Sequence, residues 1–119
     1  MERRKELIQQ YKEKKKEGGI YQIRNTVNGK VLVVSTPDFK TINGKRFQLV
    51  MGSHMNKQLQ KEWQQYGEQA FIFEVLEELE EPEGGFYDKQ DELKKLKKKW
   101  LQKLQPFGDK GYNKQSKEQ

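Results

Sequence analysis

The chain has no cysteine, a single histidine, three prolines and no long apolar stretch. Without thiols, disulfides and thiolate metal sites are excluded, and a reducing, cytoplasmic setting is expected. No run approaches the roughly 20 apolar residues of a membrane span, and the first residues lack the apolar centre of a secretion signal. No membrane association is expected. Hydrophobic residues make up only 32% of 119, which supports one domain with one modest core. Also missing are a phosphate-cradling glycine loop, an HExxH pair, an EF-hand loop and a nucleophile elbow.

What is present is charge, and it is segregated. Charged residues reach 35% and the net charge is +6. Residues 73–92 hold nine acids against Lys89, a local −8 that leaves +14 on the rest of the chain. A basic majority of that size favours an anionic partner, nucleic acid first. On charge alone, a well-solvated surface explains it equally well.

The chain opens on a basic N-terminal helix (1–17) and closes on a polar tail (114–119). The N-terminal segment has a weak apolar side, Leu7, Ile8 and Tyr11, and Gly18-Gly19 ends it. Residues 19–25 and 30–36 predict a hairpin about Asn28-Gly29, a dipeptide suited to a two-residue type I′ turn. That turn pairs Asn25 with Leu32, Ile23 with Val34 and Tyr21 with Thr36. Tyr21, Ile23, Leu32 and Val34 then share one face. Residues 37–55 read as a long polar connection, within which Gly52-Ser53-His54-Met55, though it matches a common tag remnant, is taken as native. A helix is expected from Asn56 to Gly67, a strand through AFIFEVLEEL with Phe71, Phe73 and Val75 on one face, and a helix from Asp88 to Leu104. The class is α+β, in the order α-β-β-α-β-α.

Gly19-Ile20-Tyr21, Ile23, Asn25, Asn28-Gly29-Lys30 and Ser35-Thr36, followed by His54, residues 59–79, Trp100 and Gly111-Tyr112-Asn113, resemble the GIY-YIG nuclease superfamily over roughly residues 18–113. The resemblance implies a folded domain over 18–113 with a small three-stranded antiparallel sheet flanked by helices, and hydrolysis of phosphodiesters with one divalent metal held by a glutamate on the last long helix. It also implies two tyrosines and an arginine that activate water and steady the phosphate. Tyr21 matches the first tyrosine. The second falls on Leu32, the signature glycine on Val34 and the metal-binding glutamate on Lys97.

Leu32 cannot exchange a proton, Val34 fills space a phosphate would use, and a charged ammonium has no lone pair for a hard cation. The vestigial catalytic candidates are therefore Tyr21, Arg46 and His54, with no metal ligand and no cofactor. Mg²⁺ or another divalent ion enters only if cleavage survives. Lys30, Lys45, Arg46, Lys57, Lys97 and Asn113 are the candidates for binding nucleic acid, with Lys45 the substitute for Arg46 and with DNA the expected form. An active endonuclease with a rearranged site is the alternative. A protein-interaction module using the acidic segment 74–83 is a second, and self-association is left open.

Overall fold

The computed structural model describes residues 17–80 and 88–114. The expected N-terminal helix, apart from Glu17, lies outside the described residues, as do 81–87 of the acidic segment and 115–119 of the tail.

Within that range the order is β1 (Gly19–Asn25), β2 (Val31–Thr36), α1 (Thr41–Met51), α2 (Lys57–Tyr66), β3 (Phe71–Glu78) and α3 (Lys89–Leu104). The three strands form one antiparallel sheet in the order β2-β1-β3. The central strand is β1, and its Ile20, Tyr21, Ile23 and Asn25 are fully buried. Gly19 has φ +153°, and a Cβ there would collide with the Glu77 carbonyl oxygen. The first glycine of the signature is thus required by the close approach of β3, where a bulge interrupts the register between Ile20 and Tyr21.

The hairpin register differs by two residues from the predicted one. Tyr21 faces Val34, Ile23 faces Leu32 and Gly19 faces Thr36. A wider loop replaces the two-residue turn: Asn25 accepts from the Gly29 amide through its carbonyl and from the Val27 amide through Oδ1. Asn28 Oδ1 accepts from the Lys30 amide. Two Asn side chains that mimic backbone turns outweigh the Asn-Gly preference. A shift of two preserves the face, so Tyr21, Ile23, Leu32 and Val34 lie together as expected.

The connection after β2 is also more ordered than predicted. It contains α1, which has no side-chain N-cap and of which Leu49 is the buried residue. Its Ile42, Phe47, Leu49, Val50 and Met51 are spread around the axis, so no stripe announces a helix. Helix α2 starts where expected, with Asn56 Oδ1 accepting from the Leu59 amide. Helix α3 is capped by Asp88 at the Asp91 amide and is followed by the buried Pro106.

The sheet separates two cores. Tyr21, Ile23, Leu32 and Phe71 pack against Leu49 of α1, Leu59 and Trp63 of α2, and Tyr112. Ile20 and Val33 pack on the other side against Leu101, with Leu96, Trp100 and Leu104 of α3 beside it. Each fully buried aliphatic side chain contributes about 1.5–3 kcal/mol. No helix among the described residues is long and apolar enough to cross a membrane.

Candidate functional site

A pocket of about 310 Å³ opens where the hairpin, the α1–α2 connection, α3 and the C-terminal segment meet. The hairpin supplies Tyr21, Leu32, Val33 and Val34 to its wall. Lys45 comes from α1, His54 to Asn56 from the connection, Lys97 from α3, and Asn113 and Lys114 from the end of the described chain. Three lysines and one histidine line it, and among the described residues no carboxylate does.

Lys97 reaches the pocket because α3 lays its apolar side on β2, and residue 97 falls on the edge of that side. Two of its neighbours in the run 94–99 are engaged elsewhere. Lys95 pairs with Asp91 and Glu92, and Lys99 with Glu77 at 2.7 Å. Lys97, Lys45 and Lys114 form no ion pair with any described residue.

His54 is buried and fixed. Its backbone N–H donates to Gln60 Oε1 at 3.0 Å, and Gln60 in turn donates to the Leu49 carbonyl, tying α1 to α2. Its Nδ1 accepts from the Asn56 amide at 3.0 Å, which places the proton of the neutral ring on Nε2. Burial, then the charge of Lys45, holds its pKa below the usual histidine value. The ring therefore offers the pocket a donor, and neither a base nor a metal ligand.

Tyr21 is fully buried, and its hydroxyl has no hydrogen-bond partner among the described residues. Burial pushes its pKa up to about 12, so it stays a phenol and cannot take a proton from water at neutral pH. Leu32 and Val34 fill the adjacent surface.

The remaining candidates are placed as follows. Arg46 turns away from the pocket. It pairs with Glu68 at 3.7 Å, stands over the Phe73 ring, and lines a separate cavity of about 420 Å³ with Ile42 and Asn43. Neighbouring residues on a helix point about 100° apart, so Lys45 and Arg46 of α1 cannot serve the same pocket. Lys45 occupies it. Lys30 is tied to Glu62 at 3.4 Å, and Lys57 is exposed on the first turn of α2. Asn113 spends both ends of its amide on Val33, accepting from its N–H at 2.8 Å and donating to its carbonyl at 3.0 Å.

Two participants carry no sequence motif. Lys114 follows the Gly-Tyr-Asn segment directly, and that adjacency was its one signal. Glu62 of α2 gathers hydrogen bonds from Tyr112 (2.6 Å), Asn28 (2.8 Å) and Asn25 (3.3 Å), anchoring the hairpin loop.

A hard divalent cation requires anionic oxygens. The pocket instead presents ammonium groups and a protonated ring nitrogen, so its residues do not fit the metal that the nuclease resemblance implies. Among the described residues there is no group of three His, Cys, Asp or Glu side chains able to hold one. Chemically, the arrangement attracts anions.

No family model matches the sequence. A curated relative, Intron-associated endonuclease 1 of Enterobacteria phage T4, is 40% identical over 62 residues, which is 51% of this chain and 25% of the phage protein. This chain thus matches about a quarter of that relative's length. Among solved structures, the catalytic domain of the homing endonuclease I-TevI superposes with a TM-score of 0.67 at 33% identity, over 84% of this chain and 100% of that domain. A point mutant of the same catalytic domain gives 0.66 at 33% identity, over 82% and 92%.

Proposed function

This chain belongs to the GIY-YIG nuclease superfamily, and from that premise we propose that it grips the phosphate backbone of nucleic acid without hydrolysing it efficiently. The observation that carries this reading is Lys97, unpaired in a pocket with Lys45 and Lys114 and with no carboxylate. Cleavage of a phosphodiester needs a group that deprotonates water, a charge at the scissile oxygens and help for the leaving group. Here the charge is present and the base is not. Tyr21 keeps its proton, His54 presents N–H, and Leu32 has nothing to exchange.

Binding follows from the same groups. The ammoniums draw in phosphate and release its counterions, while the His54 N–H and the Tyr21 hydroxyl offer directed hydrogen bonds. DNA is the form of nucleic acid proposed, by analogy with the endonuclease relatives, and a cytoplasmic setting goes with it.

The second reading is an active endonuclease with a rearranged site, favoured by the activity in the names of those relatives. Incubation with supercoiled plasmid and Mg²⁺ or Mn²⁺ separates the two. The plasmid is expected to stay intact. Nicking that vanishes in a Tyr21→Phe variant would establish the endonuclease instead. The protein-interaction reading is weakened because Glu74 and Glu77, within the acidic segment, are engaged inside the domain by Arg24 and by Lys99 with Trp100.

A further inference from the structure

The pocket carries more positive charge than an internal phosphodiester can use. A diester has one negative charge shared by two free oxygens. A terminal phosphomonoester has nearly two, on three oxygens, at neutral pH. Lining the cavity are Lys45, Lys97 and Lys114, none paired with a described residue. The His54 Nε2–H and the fully buried, partnerless Tyr21 hydroxyl add two more donors. Three free oxygens accept from such a set more completely than two.

The rest of the lining points the same way. Leu32 and Val34 add only carbon to it. A chain end presents three free oxygens to the lysines, whereas an internal linkage is tied through both bridging oxygens. The Asn113 amide, already closed on Val33, offers nothing to a sugar or a bridging oxygen.

We propose, resting on the nucleic-acid reading above, that this pocket receives a terminal phosphomonoester and that the chain prefers phosphorylated strand ends to internal linkages. The superfamily's cation position has become a dianion receptor. The same chemistry is offered by free inorganic phosphate, so the test must separate the two sources.

The experiment is fluorescence anisotropy of the full chain with three internally labelled forms of one short DNA duplex. One is phosphorylated at every terminus, one is hydroxyl-terminated, and one is closed by hairpin loops so that it has no ends. The phosphorylated duplex is expected to bind about tenfold more tightly than the other two, the scale of one charge-assisted hydrogen-bond set. The hydroxyl-ended and closed forms should bind alike. Lys97→Met, which keeps the length of the side chain, should erase the difference, weakening the phosphorylated duplex about tenfold more than the closed one. Lys114→Ala, at an exposed position where folding is not at stake, should narrow it. Inorganic phosphate should compete away only the advantage of the phosphorylated form.

Equal binding of phosphorylated and hydroxyl-ended duplexes overturns the end preference and leaves backbone binding standing. So does inorganic phosphate binding with no preference between duplexes, because the pocket then takes only the free anion. A preference that survives in both lysine variants overturns the assignment to this pocket. Failure to bind any of the three duplexes at low salt overturns the nucleic-acid reading itself.

Discussion

Two polar clusters sit against the same hairpin, and they are opposites. Around Glu62 every donor has an acceptor: Tyr112, Asn25, Asn28 and Lys30 all converge on one carboxylate. Around Lys97 there are cations and donors without an acceptor, and even the buried Tyr21 hydroxyl is unmatched. Buried polar groups in folded proteins are normally paired. A cluster that satisfies itself holds the fold together, whereas one that does not is built for something that arrives from outside.

The largest effect that sharpens this contrast falls on stability. Glu62→Ala strands several donors at once and is expected to cost about 3 kcal/mol in urea unfolding, while nucleic-acid affinity in the folded fraction stays unchanged. Lys97→Ala should do the reverse. Its affinity for phosphorylated DNA falls about tenfold and the salt slope of binding drops by about one, with stability changed by less than about 1 kcal/mol.

The two tyrosines give a smaller and cleaner comparison. Tyr112→Phe removes a hydroxyl bonded to Glu62 at 2.6 Å and should destabilise by about 1–2 kcal/mol. Tyr21→Phe removes a hydroxyl that has no partner, so stability should hold or rise by up to about 1 kcal/mol. If the two substitutions cost the same, the contrast between the clusters is broken.

The smallest effect is in the pH dependence. Burial alone would raise the pKa of Glu62, but hydrogen bonds from Tyr112 and Asn28 and the charge of Lys30 outweigh it and hold the pKa below its ordinary 4.5. A carboxyl depressed in the folded state adds stability above its unfolded pKa and loses it as pH falls through the folded value. Thermal midpoints should therefore drop on acidification below about pH 4.5, and less so in Glu62→Gln. His54 works in the same direction at higher pH. Its folded pKa lies below the ordinary 6.5, so its share of stability is present above that value and is lost as acid forces a proton onto the buried ring.

How much of this was legible beforehand follows from which interactions are local. The face shared by Tyr21, Leu32 and Val34 could be read because strand alternation fixes it, and it survived a register error of two. Helix α1 was hidden by its scattered apolar residues and by Asn43-Gly44, which imitates a turn. The choice between Lys45 and Arg46 depends on the phase of that unseen helix. Glu62 belongs to no motif, and its partners come from positions 25, 28, 30 and 112.

The sequence by itself determined the class of fold, the superfamily and the loss of tyrosine, glycine and glutamate at Leu32, Val34 and Lys97. Those depend on residue identity and on the short repeats of strand and helix. Tertiary structure alone decided that Lys45 and Lys114 join Lys97 with no carboxylate among the described lining residues, that the ring nitrogen of His54 left free by Asn56 carries its proton, and that Glu62 serves the scaffold. Each of these depends on which side chains meet across distant elements, and local periodicity does not encode such meetings.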